Sequence, residues 1–247
     1  RQYGKYHGLI NVSEAIEVSC NYFFYDVGRR LGIDLLVDYA TRFGLGQKTG
    51  IELEESSGVM AGPEYTESMG GTWYEGSVLS VAIGQESSQF TPIQLASYIS
   101  TLVNGGTRKP THLLKEIKSS DYSQIVETYE PEVLSTCPIC DDAYYAYTTG
   151  MRMAVSDDRG TVKSYLGDYP VAVAGKTGTA QHSSQGSDNG SFVCYAPYED
   201  PQIAIAVFVE KGAQGGNLSR VAKAIMDVYF GQTQQANAEL PGENVGN

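Results

Sequence analysis

Lys176-Thr177-Gly178, followed by Thr179, sets a cation, two hydroxyls and a residue without a side chain on four consecutive positions. The preceding run, Val171 to Ala174, is a short β pattern between Pro170 and Gly175. Proline at a strand start suits an edge strand, because it donates nothing to a ladder. Such an edge fits strand-addition binding of an extended peptide that ends in a carboxylate. Lys176 supplies the charge, Thr177 and Thr179 supply hydroxyl donors, and Gly178 lets a ligand backbone approach. The plain alternative is an exposed lysine at a strand end. The tripeptide also occurs at Lys48-Thr49-Gly50, after the turn-like Gly44-Leu45-Gly46-Gln47. Context therefore carries the signal: only the second copy has an apolar run before it and Thr-Ala after it.

A second polar group, Ser19-Cys20-Asn21, interrupts an otherwise helical stretch. Asn11 with Glu14 three residues on forms a capping box for a first helix. Phe24, Val27 and Leu31, with Gly32 beyond, define a second helix. Asp34 caps a third, carrying Leu36, Tyr39, Ala40 and Phe43 and closed by Gly44. Ser19 and Asn21 thus mark a joint between packed helices, a place that can hold side chains rigidly toward a cleft. The simpler reading is that they cap the second helix.

Further on, residues 44–76 are rich in Gly, Ser and Glu and read mostly as loop. Thr91-Pro92 starts a helix whose buried stripe is Leu95, Ala96, Ile99, Leu102 and Val103. His112 to Ile117 and Gln124 to Tyr129 read as a hairpin, and 141–156 as a helix with tyrosines along one side. The loop Ser183 to Gly190 contains a literal Ser187-Asp188-Asn189, read as a chance match. Phe192 to Tyr195 and Ile203 to Glu210 form two strands, and Leu218, Val221, Ala222, Ile225 and Val228 a last helix. The polar stretch 232–247 lacks an apolar face and is expected to be disordered. Helices first, then a three-strand meander and a helix, predict an α+β fold: an antiparallel sheet with helices packed on it.

The chain has 247 residues, 41% hydrophobic and 19% charged, which is globular composition. Its net charge of −12 excludes nucleic acid as the expected partner, since phosphate binding needs a basic face. No run approaches the about 20 apolar residues of a membrane span. The chain opens with Arg1, without a signal peptide, and is expected to be a piece of something longer. Cys137-Pro138-Ile139-Cys140 is a lone C-x-x-C without the second pair of a structural zinc site. It is read as a loop pair, and Cys20 and Cys194 stand apart.

Together these stretches resemble the class B penicillin-binding proteins, in particular the transpeptidase domain of elongation-type, PBP2-like members. Ser19-Cys20-Asn21 matches the S-x-N element and Lys176-Thr177-Gly178 the K-T-G element, in the right order. Phe43-Gly44-Leu45-Gly46, Thr49-Gly50-Ile51, Ala82-Ile83-Gly84-Gln85, Thr91-Pro92-Ile93-Gln94, Asn104-Gly105-Gly106 and Val173 to Ala180 extend the likeness over about residues 7–231. The resemblance implies a partial β-lactamase/transpeptidase-like fold over 1–231 and a peptidoglycan D,D-transpeptidase, acting outside the bacterial cytoplasmic membrane from a membrane-anchored parent. It implies stem peptides ending in D-Ala-D-Ala as substrate and β-lactam antibiotics as ligands. Ser19 would relay protons, Asn21 would bind the substrate amide, and Lys176 would tune the proton network. Lys176, Thr177 and Thr179 would hold the substrate carboxylate, with Gly178 between them, and the Thr179 N–H would serve an oxyanion hole.

One departure is large. No serine here is followed three residues later by a lysine; the nearest miss is Ser219 with Lys223. The expectation is a domain truncated before its S-x-x-K nucleophile and inactive alone. A non-catalytic β-lactam sensor or peptidoglycan-binding module, or a β-lactamase, are the alternatives. Some PBP2-like enzymes share a zinc site near S-x-N, and His7 and Cys20 stand at matching positions. The third position is Arg1, which cannot ligate, and two ligands do not make a site, so no metal or other cofactor is expected.

Overall fold

The computed structural model describes residues 6–180, 188–212 and 215–232. Three helices open the chain: α1 (Val12–Glu17), α2 (Asn21–Leu31) and α3 (Ile33–Arg42). Two short ones follow, α4 (Pro63–Ser68) and α5 (Ser77–Val81), and then α6 (Pro92–Val103). A region of short strands comes next: β1 (Thr107–Arg108), β2 (Glu116–Lys118), β3 (Ile125–Thr128) and β4 (Ser135–Thr136). The chain continues through α7 (Asp141–Ser156) and α8 (Lys163–Leu166) into the main sheet. That sheet is β5 (Ala174–Ala180), β6 (Asn189–Ala196) and β7 (Ile203–Val209). A 3-10 turn (Gly215–Leu218) and α9 (Ser219–Tyr229) close the described structure.

The main sheet is antiparallel in the order β5-β6-β7, which makes β5 an edge among the described residues. Its register pairs Lys176 with Val193 and Thr177 with Phe192. Side chains alternate across a strand, so one register serves two cores. One face packs Val173, Phe192, Cys194, Ala196 and Ile205 against Leu166 of α8 and Ala222 and Met226 of α9. The other packs Ala174 and Tyr195 against Ile99 of α6 and Met151 of α7, with Ile16 of α1 alongside. Lys176 issues from this second face, the one that carries α1 and α7.

The predicted capping box forms at Asn11–Glu14, and Thr91, the expected start of α6, forms a second one with Gln94 that was not predicted. Two expectations need correcting. Helix α3 begins at Ile33 behind Gly32, and Asp34 lies in its first turn without capping it. Residues 44–76 are mostly loop, as expected, apart from the short α4 that Pro63 starts at its first helical position. The strand before the K-T-G is displaced, because pairing with β6 runs from Ala174 to Ala180 and takes the tripeptide into the ladder. Val171 and Val173 instead pack into the α8–α9 core.

The Ser183–Gly190 loop falls outside the described residues up to 187, and the predicted tail from 233 on. Cys137 is buried, Cys140 is the exposed N-cap of α7, and all four cysteines are free thiols. Among the described residues no helix is long and apolar enough to cross a membrane.

Candidate active site

Helix α1 ends in a Schellman motif. The Ser19 N–H donates to the Ile16 carbonyl at 3.2 Å and the Cys20 N–H to the Ala15 carbonyl at 2.9 Å. The motif puts its middle residue in the left-handed region, where glycine is usual; here Ser19 occupies it at φ 53°. For a residue with a Cβ that conformation costs roughly 1–2 kcal/mol. Cys20, which completes the motif, is also the N-cap of α2 and makes no side-chain capping bond. Ser19 and Asn21 therefore do not cap the second helix. Asn21 is its exposed first residue, one position beyond the cap.

The turn delivers the Ser19 hydroxyl to the lysine of β5. Lys176 Nζ donates to Ser19 Oγ at 2.8 Å, across 157 residues of sequence, and to the Thr177 carbonyl, also at 2.8 Å. Burial brings the Lys176 pKa down from 10.5 to about 8, so a minor neutral fraction is present near neutral pH and grows quickly above it. Gln85, in the turn after α5, donates its Nε2 to the Thr179 carbonyl at 3.3 Å. The carbonyls of Thr177 and Thr179 thus face away from β6, toward the free edge. In an antiparallel strand a residue's N–H and C=O point to the same edge. The N–H groups of Thr177 and Thr179 face the same free edge.

Thr177 and Thr179 share the strand face opposite Lys176. Thr177 Oγ1 bonds Thr161 Oγ1 at 3.3 Å, and Thr179 is exposed. Glycine at 178 has a reason inside the fold, since a Cβ there would collide with Ser191 Oγ of β6. The 3-10 turn comes equally close: a Cβ on Gly215 would meet the carbonyls of Gly178 and Ser191. The other K-T-G copy serves a loop, where Glu55 accepts from the backbone and hydroxyl of Thr49. His7 is half-buried and Cys20 buried, but among the described residues no three His, Cys, Asp or Glu side chains gather as a metal site. Arg1 lies outside those residues.

Sequence reasoning assigned no role to Gln85 or Thr161. The first was visible only as part of the quoted Ala82–Gln85 string; the second carried no signal.

The lowered pKa has a thermodynamic sign. Below about 8 the folded chain carries the cost of a buried ammonium, and that cost fades as pH rises from about 8 to 10.5. The wild-type chain is therefore expected to gain stability relative to Lys176→Met across that interval. Urea melts of both at pH 7 and pH 10 check it, and a constant difference between them would contradict the burial of Nζ.

An edge-strand lysine bonded to a serine at a helix joint, on an antiparallel sheet flanked by helices, is the arrangement the resemblance assigns to penicillin-recognising transpeptidases. The sequence profile described as "Penicillin binding protein transpeptidase domain" matches residues 1–227. The peptidoglycan D,D-transpeptidase MrdA of Escherichia coli K12 is 33% identical over 261 residues, covering 96% of this chain and 40% of that protein. Penicillin-binding protein 2A of Bacillus subtilis is 29% identical, covering 97% and 38%. Among solved structures, Pseudomonas aeruginosa PBP2 in complex with WCK 5153 superposes with a TM-score of 0.78 at 32% identity, covering 96% of this chain and 50% of that one. The chain belongs to the penicillin-binding protein transpeptidase-domain family, and within class B to its PBP2-like members. It spans about two fifths of the length of the curated relatives it matches, 40% for the first.

Proposed function

We propose that residues 1–231 are the S-x-N and K-T-G bearing part of a peptidoglycan D,D-transpeptidase whose serine nucleophile lies in polypeptide outside these 247 residues. That serine attacks the penultimate D-Ala carbonyl of a stem peptide and expels the terminal D-Ala. An amine of a second stem then attacks the acyl-enzyme, so one hard step becomes two acyl transfers. The reaction needs no cofactor. Substrate and enzyme meet on the outer face of the bacterial cytoplasmic membrane, and β-lactams compete there by mimicking D-Ala-D-Ala.

The observation that carries this reading is the 2.8 Å contact between Lys176 Nζ and Ser19 Oγ beside a free strand edge. Ser19 passes a proton to the departing amine and takes one from the attacking amine. Lys176, with a pKa near 8, exchanges that proton without a large penalty in either direction. Asn21, at the mouth of the same joint, binds the substrate amide. The substrate strand adds along β5, its carboxylate held by Lys176, Thr177 and Thr179. The Thr179 N–H contributes one donor to the oxyanion hole.

A fluorescent penicillin tests the whole. The 247-residue chain is expected to remain unlabelled, and a polypeptide extended upstream to include a Ser-x-x-Lys is expected to label stably. Stable covalent labelling of the 247-residue chain itself would overturn the proposal.

A further inference from the structure

Helix α1, which holds up the strained serine, ends against two rules. Its last residue, Glu17, is 1% exposed, and a carboxylate at a helix C-terminus opposes the macrodipole. A buried charge persists only when it is paired. Its partner comes from 142 residues away: Arg159 Nη2 lies 2.7 Å from Glu17 Oε2. The same guanidinium is 3.7 Å from Glu14 Oε1 on the preceding turn. Arg159 itself is half exposed, and an ion pair with one buried member is weak evidence for stability, because apolar residues of similar volume often serve as well. Its better-attested use is to fix one arrangement among several.

Arg159 belongs to the loop between α7 and α8, and that loop touches the other wall too. Two residues on, Thr161 Oγ1 bonds the hydroxyl of Thr177, the neighbour of Lys176. The intervening Gly160 is pressed onto the end of α7, where a Cβ would meet the carbonyls of Met153 and Ala154 at 2.6 Å. Its N–H donates to Asp157 and that of Val162 to Ala154, so the loop is braced from within. Helix α7 grips the same two partners along its length. Ser13 Oγ of α1 donates to the Ala146 carbonyl at 2.7 Å, and Arg152 Nη1 to the Val173 carbonyl just before β5 at 2.9 Å.

We propose that Arg159 and Thr161 are positioning residues, whose short loop clamps α1 to β5 and thereby sets the spacing of Ser19 and Lys176. Its consequence for catalysis rests on the transpeptidase reading; the clamp itself does not. Arg159 acts through Glu17 and the α1 terminus, and Thr161 through Thr177. Neither contacts the hydroxyl or the ammonium in the hydrogen bonds of the site.

The test follows Lys176 itself in the 247-residue chain, by NMR titration of its ε-methylene and ammonium groups. Burial is the cause of its lowered pKa, so the midpoint reports how well the site excludes water. Arg159→Gln and Thr161→Val are each expected to raise that midpoint by about half a pH unit or more as water reaches Nζ. Arg159→Lys, which keeps the charge, is expected to recover part of the shift. Far-UV circular dichroism establishes that each variant is folded. If Arg159→Gln unfolds, Thr161→Val decides, because it removes one hydroxyl at an exposed position. A folded variant with the wild-type midpoint overturns the clamp. A shifted midpoint combined with failure of the penicillin experiment would sink the transpeptidase reading and leave the clamp standing.

Discussion

Replacing Lys176 with alanine is expected to slow acylation by a fluorescent penicillin by about 10²–10⁴-fold in the upstream-extended polypeptide, the range typical for losing a general acid–base partner. The side chain has two tasks that alanine ends together. It holds Ser19 at 2.8 Å, and with a pKa near 8 it accepts and returns a proton at little cost. Ser19→Ala breaks the same relay from the other side and is expected to fall in the same range. Groups that act as one unit are not additive, so the double variant should be about as slow as the worse single one. The measurement is the second-order rate constant of labelling for the four proteins. A Lys176→Ala loss smaller than about tenfold, or a double variant slower by the product of the single effects, would show that the two groups do not form one relay.

The parts of this fold that sequence reasoning reached are those with local signatures. Helix α6 announced itself through Thr91 and Pro92, because an N1 proline acts within one turn. Helix α7 was read from the tyrosines along one side of 141–156. The strands β6 and β7 followed from their apolar runs. What escaped depends on partners far away in sequence. The start of β5 is decided by where β6 pairs, and propensity favoured the valines just before it. Glu17 reads as one more charge on a polar face until Arg159 arrives from 142 residues on. The left-handed Ser19 had no signal at all, since the Schellman position is normally recognised by a glycine. Lys176 was singled out by its Lys-Thr-Gly-Thr context and Ser19 and Asn21 by their place at a helix joint, and the resemblance gave each a candidate role. Their separation in sequence held no information about the hydrogen bond that joins two of them.

Phe192→Ala is expected to cost about 3–5 kcal/mol, out of a total stability of roughly 5–15 kcal/mol for a domain. Phe192 is fully buried on β6, the middle strand of the main sheet. Its ring faces the core that α8 and α9 close, with Leu166, Ala222 and Met226. Room for it comes partly from β5: a Cβ on Gly175 would lie 2.9 Å from Phe192 Cζ. The cavity left by alanine cannot easily collapse, because the ladder pins the backbone on both sides, through Thr177 and Val207. Ile117→Ala provides the contrast. Ile117 is 43% exposed on the β2–β3 hairpin, so its loss should stay within about 0.5 kcal/mol. Urea unfolding distinguishes the two, and an unchanged m-value certifies that the denatured state is not what moved. Because Thr177 stands opposite Phe192 in the register, the same cavity loosens the strand that carries Lys176. A Phe192→Ala protein that lost less than about 1 kcal/mol would mean that this face of the sheet is not the core the packing describes.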